Sequence, residues 1–224
     1  MESENEKTPD FRFLGDENVS KYFADLNIKL LSGRHIQVAE YAAFSILEDY
    51  YDGFRYYYQQ LYGMDLVRRV FDQSTYYYLN FFDAGRGKLS DPSRYRAITE
   101  IQTVTALMLL DMYFTRYFDP EKKISWAIIR EEIQSGDHRT ALQRLLFPEI
   151  RAAYTEPEWQ SAERRFKIAV SKFDALGWVS QLSGAQEELC FLINPSIHRI
   201  AELYEAELQD LEAFSVKVKA GRPA

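Results

Sequence analysis

Apolar residues recur at helical spacing over 18–31, where Val19, Tyr22, Phe23, Leu26, Leu30 and Leu31 fall three or four apart. Ser32 and Gly33 follow as a C-terminal stop. A second helical pattern covers 37–62 through Val38, Tyr41, Phe44, Leu47, Tyr51, Phe54, Tyr58 and Leu61, closed by Gly63. Gly53 inside it weakens the helix by about 1 kcal/mol relative to Ala and predicts a bend there. The period then shortens. Residues 66–71 (LVRRVF) and 76–82 (YYYLNFF) are rich in β-branched and aromatic side chains, and the polar 72–75 separates them, which predicts a hairpin.

Residues 83–91 (DAGRGKLSD) read as a linker. Asp91 and Pro92 open a long helix expected to reach 118, where Asp119 and Pro120 end it. Ser125 caps a helix to Gln134, and a shorter one covers 139–147. Thr155 and Glu158 form a capping box, a mutual satisfaction of backbone donors that opens a helix over 156–176. Its core stripe is Trp159, Ala162, Phe166, Ala169, Phe173 and Leu176. A second hairpin is expected over 178–182 and 187–193, and a last helix from Asn194 through Leu211. Helices followed by a hairpin occur twice, which is the winged-helix order. The fold class expected is mainly α with small β-hairpins (α+β), as two tandem winged-helix domains over 18–82 and 92–214. An acidic arm over 1–17, with Phe11, Phe13 and Leu14 available to dock, and a basic tail over 215–224 flank them.

Composition sharpens this. Apolar content of 46% against 27% charged allows a packed core and excludes general disorder. Aromatic content is high at 15%, and 11 of the 16 tyrosines lie between Tyr22 and Tyr78. A net charge of −7 argues against a free-standing nucleic-acid binder, though not against a local basic face. One cysteine, Cys190, and three scattered histidines, His35, His138 and His198, give neither a disulfide framework nor a zinc pattern. No GxSxG, P-loop, GxGxxG or HExxH motif is present, and no cofactor or enzymatic activity is expected. The polar N-terminus is unlike a signal peptide, and the most apolar stretch, 103–110, is far short of the roughly 20 residues of a membrane span. A cytoplasmic protein without a membrane partner is expected.

Three sets of residues are candidates for contact. On the helix over 156–176, Gln160, Arg164, Lys167 and Ser171 face away from the core stripe, flanked by Arg165 and Lys172. In a helix-turn-helix this element enters the major groove, and its cations can meet phosphates. Glu156, Glu158, Glu163 and Asp174 match the four cations in number, so a merely solvated face is the alternative. Arg68 and Arg69, with Arg86 and Lys88, form a second positive cluster, suited either to a wing on phosphate or to edge protection. Tyr51, Tyr56, Tyr57, Tyr58, Tyr76, Tyr77 and Tyr78 cannot all point inward if helix and strand each expose one side. They are expected to meet a partner, since tyrosine is enriched at interfaces.

The segment 31–36 (LSGRHI), the acidic and aromatic helix after it, the strand ending at Tyr78 and Leu79, and the later Leu176-Gly177-Trp178-Val179 turn before a hairpin resemble the MukE/MksE family over roughly 20–205. The resemblance implies a tandem winged-helix homodimer that binds the kleisin (MukF/MksF/JetA-like) of an SMC-like bacterial condensin. The kleisin bridges an SMC-like ATPase (MukB/MksB/JetC-like). The assembly acts on double-stranded DNA without sequence preference, in chromosome condensation and segregation or, in the Wadjet version, in plasmid defence at the nucleoid. Where that family tends to carry basic residues before the Leu-Gly turn, Asp174 and Ala175 stand here, so DNA contact falls to Arg164, Arg165, Lys167 and Lys172. From the residues alone, a winged-helix transcriptional regulator remains the alternative.

Overall fold

Asp16 starts the first helix. Its Oδ1 accepts from the backbone N–H groups of Asn18 and Val19 at 2.9 and 3.3 Å, the N-cap geometry that satisfies orphan donors. Its Oδ2 accepts from the Tyr50 hydroxyl at 2.9 Å. That hydroxyl, with the backbone donors, holds the Asp16 carboxyl below its ordinary pKa. In this computed structural model residues 10–80, 98–116, 118–182 and 189–203 are described. The chain divides into two units, Met1–Arg96 and Ala97–Ala224. The linker expected over 83–91 lies outside the described residues.

The first unit runs through a 3-10 turn (Arg12–Gly15), α1 (Glu17–Leu31), β1 (Ile36–Gln37), α2 (Tyr41–Asp49), α3 (Tyr51–Tyr62), β2 (Asp65–Phe71) and β3 (Ser74–Asn80). Gly33, at φ 85°, turns the chain out of α1. Arg34 and Lys29 then clasp Glu40 at 3.0 and 3.2 Å, fixing the start of α2. The single helix expected over 37–62 is two helices preceded by a short strand, and the break falls at Tyr50 (φ −123°), not at Gly53. Gly53 serves a close approach: a Cβ there would stand 2.7 Å from Phe13 Cδ1. Of the acidic arm expected over 1–17, residues 10–17 are described. Phe13 and Leu14 pack on the first core, and Phe11 lies 5.4 Å from the Tyr56 ring.

The first sheet is antiparallel in the order β1-β3-β2, with Ile36 opposite Tyr77 and Arg69 opposite Tyr76. The tyrosine-rich β3 is therefore the central strand. Tyr77 faces the helices, with Phe44 at 5.5 Å and Tyr51 at 5.9 Å. On the other face the buried His35 ring stacks on Tyr78 at 4.9 Å and lies 5.9 Å from Tyr76. The tyrosines expected to meet a partner differ in burial. Tyr57, Tyr58, Tyr76, Tyr77 and Tyr78 are all buried within the chain, and only Tyr51 and Tyr56 are partly exposed. The Tyr58 hydroxyl donates to Asn27 Oδ1 at 3.1 Å, and Tyr51 donates to the Leu66 carbonyl at 3.0 Å. Burial raises the Tyr57 and Tyr58 pKa values well above the ordinary phenol value. The turn between β2 and β3 is also tighter than expected. Phe71 pairs with Ser74, leaving two residues, Asp72 (φ 49°) and Gln73 (φ 58°), both left-handed.

The second unit contains α4 (Glu100–Thr115), β4 (Lys123–Ser125), α5 (Trp126–Ser135), α6 (Arg139–Leu146), α7 (Glu156–Leu176), β5 (Val179–Gln181), β6 (Cys190–Ile193), a 3-10 turn (Pro195–His198) and α8 (Arg199–Leu203). The helix expected from Pro92 begins at Glu100, because Thr99 and Gln102 form a capping box of their own. Residues 92–97 and 204–211, parts of two expected helices, lie outside the described residues. The second sheet is again antiparallel, in the order β4-β6-β5. Among the described residues the chain is mainly helical, with small antiparallel sheets. No described helix is long and apolar enough to cross a membrane.

His138, just before α6, meets Asp111 of α4 at 3.4 Å, and that contact raises its pKa. At the other end of the unit, Gly177 leaves α7 with φ 77°. Its carbonyl accepts from Asn194 Nδ2 at 2.9 Å and Ser196 Oγ at 2.8 Å, two side chains that arrive only after the hairpin.

Candidate nucleic-acid interface

The helix α7 is the longest described, and its ends are chemically defined. Thr155 N and Oγ1 both donate to Glu158 Oε2 at 2.8 Å, so the Glu158 carboxyl sits below its usual range. Trp159, Ala162, Phe166, Ala169, Val170 and Phe173 are buried on one side. Arg130 of α5 covers the Trp159 ring at 4.7 Å, a cation–π contact that seats the first turn. Gln160, Ser161, Arg164, Ile168 and Ser171 line the opposite, exposed side.

The four sequence candidates separate on this helix. Arg164 is exposed on the outward row. Lys167 is half-buried and pairs with Glu163 one turn before it at 2.9 Å. Lys172 is half-buried beside the same row. Arg165 turns inward: its Nη1 donates to the carbonyls of Leu145 and Leu146 at 3.1 and 3.0 Å.

The acids that balance these cations by number mostly act elsewhere. Glu156 meets Arg130 at 3.5 Å, Glu158 closes the cap and pairs with Arg151, and Asp174 Oδ1 accepts from Gln181 N at 3.0 Å. Glu163 stays against the basic row, on Lys167. Sequence reasoning missed Ile168, 67% exposed at the centre of that row, because the row was traced through charged and polar residues.

The corresponding helix of the first unit, α3, differs in charge. Asp52, Arg55, Gln59 and Gln60 are exposed there, and Arg55 is paired with Asp65 at 3.0 Å. Of the second cluster, Arg68 pairs with Glu48 at 3.5 Å and Arg69 is exposed on the edge strand β2. Arg86 and Lys88 lie outside the described residues. Among the described residues no three His, Cys, Asp or Glu side chains gather to hold a metal. An open cleft of about 350 Å³ beside α4 and α5 has Arg116, Glu131 and Glu132 on its walls, and its Ser135 hydroxyl donates to the Glu131 carbonyl at 3.0 Å.

The family model of the condensin complex protein MksE matches residues 21–205. That span is most of the chain, and the protein belongs to the MksE family of condensin subunits. No curated relative matches the chain.

Proposed function

We propose that this chain is a non-enzymatic, cytoplasmic and nucleoid-associated condensin subunit built of two winged-helix domains. It forms a homodimer, binds a kleisin, and through it joins an SMC-like ATPase. It holds double-stranded DNA through α7 without reading sequence, in chromosome condensation or plasmid defence. The observation that carries the DNA part is the α7 row. Arg164 stands outward with Lys167 and Lys172 beside it, while Glu156, Glu158 and Asp174 are drawn to other partners. A transcriptional regulator would use the same helix, but it would recognise a defined operator alone, and membership of a condensin family favours the first reading.

The test uses the assembled complex with kleisin and ATPase. Neutralising two phosphate-contacting cations in Arg164→Gln/Lys167→Gln lowers the slope of log affinity against log salt by about 2 on any DNA sequence. Kleisin co-purification is unchanged. An unaltered slope refutes α7 as the DNA face. Light scattering of the isolated chain tests the dimer, and a strict monomer at tens of micromolar counts against it. Tyr57, Tyr58 and Tyr77 pack in the first core, which favours a dimer surface elsewhere on the chain.

A further inference from the structure

We infer that Arg165 is a positioning residue for the α7 face, and that α6 is the strap it holds. This rests on the reading of α7 as the DNA-contacting helix. Two lines of geometry support it. First, α6 is tied on both sides. Gln143, buried, donates through Nε2 to the Ile133 carbonyl in the last turn of α5 at 2.9 Å. Arg165 donates to the carbonyls of Leu145 and Leu146. These carbonyls lie in the last turn of α6, where acceptors lack partners within the helix and a cation is favoured by the helix dipole. Ala141, Leu142, Gln143, Leu145 and Leu146, five of its eight residues, are buried, so α6 is a firm anchor.

Second, consecutive residues of a helix point about 100° apart. Arg164 and Arg165 therefore cannot share a direction. With Arg165 fixed on α6, Arg164 and Ile168 are held outward. A rotation of α7 by one residue's angle would exchange the two arginines and carry the basic row off its face. Arg165 thus holds the pose of the row, together with the buried stripe from Trp159 to Phe173, without touching the ligand.

The experiment compares Arg164→Gln, Lys167→Gln, Arg165→Gln and Arg165→Lys in the full complex. It measures DNA affinity across a salt series and amide hydrogen exchange in α6. A phosphate ligand and a positioning residue separate in the slope. Arg164→Gln lowers the slope by about 1. Arg165→Gln lowers affinity by about tenfold at every salt concentration, the equivalent of one charged hydrogen bond, with the slope unchanged. It also speeds exchange in the last turn of α6, which Arg164→Gln does not. Arg165→Lys, retaining a donor, restores most of the affinity and guards against simple misfolding in the Gln variant.

A slope reduced by about 1 in Arg165→Gln makes Arg165 a phosphate ligand and overturns the proposal. So does unchanged affinity together with unchanged exchange. If Arg164→Gln and Lys167→Gln leave binding untouched, the α7 reading itself has failed and the positioning role falls with it. The two failures are therefore distinguished by which variant behaves as wild type.

Discussion

Gly53 and Phe13 make a prediction in which the sign, not only the size, is informative. By helix propensity alone Gly53→Ala should stabilise α3 by up to about 1 kcal/mol. The added methyl would stand 2.7 Å from Phe13 Cδ1, so the Phe13 ring must leave its place 4.8 Å from Phe54 and 6.2 Å from Tyr50. Full burial of a phenylalanine is worth about 1.5–3 kcal/mol. Phe13 is half-buried, so its displacement costs about half of that, and the crowding of any ring that stays adds about 1 kcal/mol. The expected net effect of Gly53→Ala is a loss of about 1 kcal/mol. In a Phe13→Ala background the obstacle is gone, and the same substitution should stabilise by up to about 1 kcal/mol. Native-state hydrogen exchange of the α3 amides reads this unit separately from the second. A gain in stability from Gly53→Ala in the wild-type background, or an effect of the same sign in both, refutes the reasoning.

Two further outcomes are expected. Gln73→Gly should stabilise the first hairpin by about 0.5–1 kcal/mol, because both turn residues are left-handed and glycine adopts that conformation without steric cost. Exchange of the β2 and β3 amides checks it, and a loss would mean that Gln73 makes a contact worth more than its backbone strain. His138 has a raised folded pKa because Asp111 accepts a hydrogen bond from its ring, with Glu132 and Asp137 adding to the field. Its contribution is fully present below about pH 6.5, the unfolded value, and is lost as pH rises through the folded value. Thermal unfolding should show the stability gap between wild type and His138→Gln narrowing as pH rises above about 6.5, and parallel profiles would refute it.

The elements with a full period were legible in the sequence. Val19, Leu26 and Leu30 mark α1, and the Thr155–Glu158 box with the Trp159 to Phe173 stripe marks α7. The strands β1 and β4, of two and three residues, are too short to carry any periodicity. Their absence from the sequence reading had a consequence. Without β1 and the His35 that precedes it, the second face of β3 has no cover and its tyrosines look like an interface; in the structure β3 is central and His35 stacks on Tyr78. The break at Tyr50 has neither glycine nor proline to announce it. The basic row was partly legible: composition locates four cations on one helix, but only coordinates show that Arg165 is spent on α6.

The lock on the Gly177 carbonyl bears on the order in which the second unit can be completed. Its two donors come from Asn194 and Ser196, 17 and 19 residues later in the chain. During synthesis α7 can coil and close its own end through the Gly177 and Trp178 amides, but the Gly177 carbonyl gains these two donors only once the chain has passed through the hairpin. The exit of the basic helix is thus tied to the segment that follows the second sheet. Any shortened chain that stops before Asn194 leaves that carbonyl without both donors.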